Sequence, residues 1–146
     1  MKINPYLNFA GNTEEAFNFY KSVFGGEFAM VQRFKDTPGC ENLPPADWDK
    51  IMHMALPIGP DNVLMATDAL ESMGQSLTVG NNFSLSVSTD SEEETNRVFS
   101  ELSAGGKATM PPAKTFWGSY FGMLTDKYGI QWMVSYDENP PAPSNK

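Results

Sequence analysis

The 146-residue chain carries 10 Lys and Arg against 18 Asp and Glu, a net charge of −8, which excludes a nucleic-acid partner whose row of phosphates would need neutralising. With 40% hydrophobic and 19% charged residues, wholesale disorder is excluded, and the length predicts one domain whose core needs neither disulfide nor structural metal. The single cysteine, Cys40, excludes an internal disulfide and a thiolate zinc cage; no apolar run approaches the ~18 residues of a membrane span, and Met1 to Pro5 lacks a signal-peptide core, so a cytoplasmic protein without a membrane partner is expected.

Residues 4–9 predict a first strand, with Leu7 and Phe9 on one face. Asn12 is the expected N-cap of a helix, with Glu15 reaching back to it. Ala16, Phe17, Tyr20, Val23 and Phe24 recur at helical spacing until Gly25-Gly26 stops the helix. A strand over 28–34 leads into a long connection, 35–50, holding Pro38, Gly39, Pro44 and Pro45, which is expected to act as a lid or contact arm. Residues 51–56 and 63–67 predict a hairpin across Gly59 to Asn62.

The second half repeats this order. A strand over 82–87 places Phe83, Leu85 and Val87 on one face. Asp90 and Glu93 are the expected cap pair of a helix that carries Val98, Phe99 and Leu102 and stops at Gly105-Gly106. The strand over 107–116 is broken by Pro111-Pro112, which places it at a sheet edge. Residues 119–125 and 130–136 form the last hairpin, turning at Asp126 to Gly129, and the Pro-rich tail 137–146 is expected to be disordered. The chain therefore reads as β-α-β-β-β twice: an α+β fold of paired βαβββ modules with curved mixed sheets. The modules span about 1–70 and 80–136 within a single domain, 1–136.

Paired βαβββ modules resemble the vicinal oxygen chelate superfamily, which includes glyoxalase I, extradiol dioxygenases and the fosfomycin and bleomycin resistance proteins. Several segments are similar to its PhnB-like branch: Pro5 to Asn12 leading to Phe19-Tyr20 and Phe24 to Glu27, His53 to Leu56 with Val63 to Asp68, and Thr115 to Gly118 followed by Phe121-Gly122, Thr125 to Gly129 and Trp132. The resemblance covers nearly the whole chain except 36–50 and the tail.

Metal-dependent members of the superfamily use four His or Glu ligands, one from the first and one from the last strand of each module. Carried onto this chain, those slots fall on Asn4, Asn82, Met65 and Met133. Two amides and two thioethers do not hold Mg, Mn, Fe or Zn, and sliding the register by one supplies no imidazole or carboxylate. The expectation is no bound metal and no cofactor.

His53, the sole histidine, falls with Ile51 and Ala55 on the strand face away from Met52, Met54 and Leu56. It reads either as a half-buried histidine bonded to a neighbouring strand or as a ligand contact. Asp68 either orients that imidazole or opens the turn into Ala69-Leu70-Glu71, and Asp126 reads as a structural turn residue. Trp117, Trp132, Phe116, Tyr120 and Phe121 are expected to form an aromatic cluster.

Two functions from different classes follow, with a purely structural or partner-binding dimer as a third. One is a metal-free homodimer that binds a small, partly apolar molecule through His53, Asn8, Asn82, Ser84, Met65 and Met133. It would pair modules of different subunits around a cup that Tyr6 and Phe121 also line. The other is a metal-dependent glyoxalase- or dioxygenase-type enzyme. Methyl transfer, an activity attached to some relatives, would call for a glycine-rich nucleotide loop after the first strand, which Ala10 to Thr13 does not supply.

Overall fold

The computed structural model describes residues 1–138. The chain divides into two compact units, Met1–Val79 and a second that begins at Gly80. Each is a four-stranded mixed sheet with one long helix, the paired βαβββ arrangement expected from the sequence.

In the first unit, β1 (Tyr6–Phe9) leads into α1 (Thr13–Phe24), then β2 (Met30–Arg33), β3 (Ile51–Ile58) and β4 (Asn62–Asp68). The sheet order is β1-β4-β3-β2, with β1 parallel to β4 and the other pairs antiparallel. A parallel outer pair follows from sending the chain through α1 before the sheet is completed. Strand alternation then sorts the side chains. Leu7, Phe9, Met54, Leu56, Leu64 and Ala66 are buried with Ala16, Phe17, Tyr20 and Val23 of α1.

The cap of α1 is not the expected one, because Asn12 makes no side-chain capping bond. Asp68 instead reaches back from the end of β4. Its Oδ1 accepts from Gly11 N (3.1 Å), Thr13 N (3.0 Å) and Thr13 Oγ1 (2.6 Å), and its Oδ2 accepts from Ile51 N (2.8 Å). Asp68 thus holds the head of α1 and the start of β3 together, and it bonds neither His53 nor the turn that follows it.

The connection over 35–50 is pinned at its base. Phe34 N donates to Lys50 O and Lys35 N to Trp48 O, both at 3.0 Å. Inside it Trp48 Nε1 donates to Leu43 O at 2.9 Å, and the Asp47 carboxylate accepts from Lys50 Nζ and Ser72 Oγ, each at 2.7 Å. Those two bonds hold the Asp47 carboxyl below the usual carboxylate range.

The second unit comprises β5 (Leu85–Ser88), α2 (Glu92–Ser103), β6 (Lys107–Lys114), β7 (Ser119–Thr125) and β8 (Gln131–Asp137), in sheet order β5-β8-β7-β6. β5 begins at Leu85 rather than Asn82. The cap of α2 is shifted by one residue from expectation: Ser91 Oγ accepts from Glu94 N (3.0 Å), and the Glu94 carboxylate accepts from Asp90 N (3.3 Å). Val98, Phe99 and Leu102 pack on Leu124, Trp132 and Val134. Gly122 makes this approach possible, since a Cβ there would lie 3.0 Å from the Phe99 ring and 3.1 Å from Met110 O.

β6 is an edge strand whose pairing with β7 slips on both sides of Met110, as its two prolines lead one to expect. Asp126 is structural: Oδ1 accepts from Tyr128 N (2.8 Å) and Ile130 N (3.0 Å), and Oδ2 accepts from Trp132 Nε1 (2.8 Å). The tail lies outside the described residues from 139 onward. Asp137 closes β8, and Glu138 faces Lys114 Nζ at 3.6 Å.

Candidate ligand-binding site

In the first unit the sheet face turned away from α1 is built from two rows set by strand register. Asn8 pairs with Thr67, and Gln32 pairs with His53 on the next strands, which makes a polar row. Tyr6 pairs with Met65, Met65 with Ala55, and Ala55 with Met30, which makes a mostly apolar row beside it. Arg33, set opposite Ile51 beyond a register shift, is bonded to Glu14 of α1, and no Lys, Arg, Asp or Glu stands among the paired positions of the two rows.

The two rows meet at Tyr6 and His53. Tyr6 Oη lies 2.9 Å from His53 Nδ1, and the rings are 5.5 Å apart at an interplanar angle of 31°. His53 is half-buried, and its hydrogen-bond partner is on β1, across β4, and not on a neighbouring strand. Partial burial raises the Tyr6 hydroxyl above its ordinary value, which keeps it protonated and able to donate. Gln32 Nε2 donates to Thr37 Oγ1 at 3.0 Å, which ties the end of the polar row to the long connection.

The corresponding face of the second unit carries Ser86 beside Met133 and Ser88 beside Ser135, with Met123 opposite Met133 and Phe121 opposite Ser135. Asn82 and Ser84 precede β5, and Asn82 is exposed. Of the six expected ligand contacts, then, His53, Asn8 and Met65 share one sheet face of the first unit, and Met133 lies on that of the second. The lead-in position of Asn82 and Ser84 reflects a strand that starts three residues later than alternation suggested.

Asn4 likewise precedes its strand, and its Oδ1 accepts from Val63 N at 3.2 Å. The residues that register sets beside Met65 and Met133 on the first strands are Tyr6 and Ser86. Among the described residues no group of three or more His, Cys, Asp or Glu side chains converges. The N–H groups of Gly11 and Thr13 at the head of α1, where an anion would otherwise dock, are filled by Asp68.

The expected aromatic cluster divides. Trp132 is buried, 3% exposed, under α2. Phe116 and Trp117 cap the β6–β7 turn at 98% and 60% exposure, edge to face at 5.0 Å, with Trp117 6.1 Å from Phe121. Tyr120 Oη donates to Asn96 Oδ1 of α2 at 2.7 Å.

Comparison with known proteins adds a lineage to this geometry. The family model described as 3-demethylubiquinone-9 3-methyltransferase matches residues 1–135. Protein YjdN of Escherichia coli K12 is 33% identical over 149 aligned positions, covering 97% of this chain and 99% of that protein. Among solved structures, protein PA1353 from Pseudomonas aeruginosa is 37% identical with a TM-score of 0.84, over 95% of this chain and 99% of its own. The PhnB protein from Bacillus cereus is 29% identical with a TM-score of 0.75, over 93% and 99%. A glyoxalase-related enzyme from Fulvimarina pelagi shares the fold at a TM-score of 0.65 and 16% identity, over 99% of this chain and 95% of that one.

Proposed function

Since the chain belongs to the family described as 3-demethylubiquinone-9 3-methyltransferase, the PhnB-like branch of the vicinal oxygen chelate superfamily, we propose that it binds a small, partly apolar molecule without a resident metal, as a cytoplasmic homodimer. The observation that carries this reading is the first unit's open sheet face. A row of neutral hydrogen-bonding groups (Asn8, Thr67, His53, Gln32) runs beside a row of apolar ones (Tyr6, Met65, Ala55, Met30). A few polar groups set on an apolar floor are what small-molecule sites present. In the second unit Met133 lies on that unit's own corresponding sheet face, and Asn82 and Ser84 lie in the lead-in to β5.

The donor set supports the metal-free part. Tyr6, Met65, Asn8 and one imidazole offer no three deprotonated N, S or O ligands for a hard or borderline ion. The methyl transfer in the family's description is not part of the proposal: Ala10 to Thr13 after β1 is no glycine-rich nucleotide loop, and its Gly11 and Thr13 N–H groups already donate to Asp68. Exposed Met30, Val31, Phe116 and Trp117 support self-association, since a lone copy leaves them in water.

The test is native mass spectrometry of protein purified without denaturation after growth with added Mn, Fe, Ni and Zn, paired with light scattering and a methylglyoxal–glutathione assay. An organic adduct on a species of twice the chain mass is the expected result. About one equivalent of metal per chain, removable by chelator with loss of turnover, would overturn the reading in favour of a metalloenzyme.

A further inference from the structure

Tyr6 and His53 form a pair whose chemistry has a direction. A phenol hydroxyl is a strong donor, and the unprotonated nitrogen of neutral imidazole is a strong acceptor. The 2.9 Å contact between Tyr6 Oη and His53 Nδ1 fits O–H donating to Nδ1 in one of the two neutral tautomers of the ring. That assignment leaves the imidazole proton on Nε2. Among the described residues no group accepts from Nε2, and it is not a buried orphan atom. It is a donor presented to whatever lies on this face.

The remaining surroundings restrict what that can be. The two rows carry neither cations nor anions, the Arg33 charge at their edge is paired with Glu14, and the whole chain is negative by 8. A carboxylate or phosphate placed here would lose hydration and gain no permanent opposite charge. A carbonyl oxygen loses little hydration and gains the N–H of His53. The tilted Tyr6 and His53 rings and the thioethers of Met65 and Met30 suit a flat, polarisable body.

We propose that Tyr6 is a positioning residue that locks His53 in its Nε2–H form, and that the ligand class of this face is an uncharged aromatic compound bearing a carbonyl. The proposal rests on the reading of this face as the binding surface and adds to it the ligand's charge and functional group.

One histidine per chain makes the test direct, because the ring-nitrogen spectrum of 15N-labelled protein contains a single imidazole. At about pH 8.5, where an ordinary imidazole is neutral, the wild type is expected to show a protonated Nε2 and a bare Nδ1. Tyr6→Phe, which keeps the ring, is expected to show a mixture of the two tautomers with unchanged backbone signals. Benzamide is then expected to move both the Nε2 signal and the Met65 methyl signal, while isosteric benzoate at equal concentration moves neither. Tyr6→Phe is expected to weaken benzamide about fivefold, the size of one ordinary hydrogen bond.

A protonated Nδ1 in the wild type, unmixed tautomers in Tyr6→Phe, or benzoate binding as well as benzamide would each overturn the proposal. If benzamide moves Met65 and leaves His53 still, the proposal falls and the binding face stands. If neither probe moves either residue, both fall together.

Discussion

Asp68, the last residue of β4, and Thr13, the first of α1, are joined twice through one oxygen: Thr13 Oγ1 at 2.6 Å and Thr13 N at 3.0 Å both donate to Asp68 Oδ1. With Gly11 N and Ile51 N also donating and the residue only 2% exposed, Asp68 satisfies three backbone N–H groups and one hydroxyl. Asp68→Ala leaves those donors buried and unmet, and a loss of about 3 kcal/mol is expected in urea unfolding. Asp68→Asn keeps one acceptor oxygen and is expected to lose less. A loss under about 1 kcal/mol for the alanine variant would mean that other groups or water replace the carboxylate.

At Gly122 the packing of α2 on β7 is set by the absence of a side chain. Gly122→Ala pushes a methyl against the Phe99 ring at 3.0 Å and Met110 O at 3.1 Å, so overpacking of about 1–3 kcal/mol is expected. Phe99→Leu frees the space at the ring. The double variant is therefore expected to lose less than the sum of the two single changes, which thermal unfolding of all four proteins will read.

The Arg33 guanidinium lies 2.6 Å from a Glu14 carboxylate oxygen and, by that hydrogen bond first, holds the Glu14 carboxyl below its ordinary value. A depressed folded value means that the stabilisation is complete above the ordinary carboxylate range and is lost as pH falls through the depressed value. The Glu14 side chain is 47% exposed, so solvent screening limits the coupling to under about 1 kcal/mol. A double-mutant cycle with Glu14→Gln and Arg33→Met is expected to show that coupling at neutral pH and to lose it as the pH falls through the depressed Glu14 value. A coupling that persists in acid would remove the carboxylate from the account.

Among the described residues Phe116 and Trp117 are adjacent aromatic side chains left 98% and 60% exposed. Replacing both with Ser is expected to convert a species of twice the chain mass into one of single mass in light scattering at micromolar concentration, with an unchanged far-ultraviolet spectrum. A dimer that survives the double change would place the contact elsewhere, on Met30 and Val31 first.

Parts of the molecule were legible from local pattern because local pattern causes them. Leu7 and Phe9 alternate, so β1 and its buried face follow; Ala16, Phe17, Tyr20 and Val23 mark α1; Pro111-Pro112 put β6 on an edge. The caps were not legible for two different reasons. Asp68 is 55 positions from Thr13, so no local rule connects them. At α2, Asp90 and Ser91 are adjacent capping residue types followed by three glutamates, and only backbone geometry selects Ser91. In the candidate site, the strand faces of His53, Asn8 and Met65 could be read from alternation. The Tyr6–His53 bond could not, because it depends on how β1 and β3 register through β4.

The bond from Trp132 Nε1 to Asp126 Oδ2 has a spectroscopic consequence. It fixes one indole in the core of the second unit, while Trp48, tied to Leu43 O, sits in the first. Trp117 is 60% exposed and Trp48 43%, so both have less exposure to gain on unfolding than Trp132 at 3%. Each half of the duplicated chain thus carries its own intrinsic fluorophore, and single Trp→Phe replacements turn one cuvette measurement into two: whether both halves melt at one temperature, or one lets go while the other still holds its light.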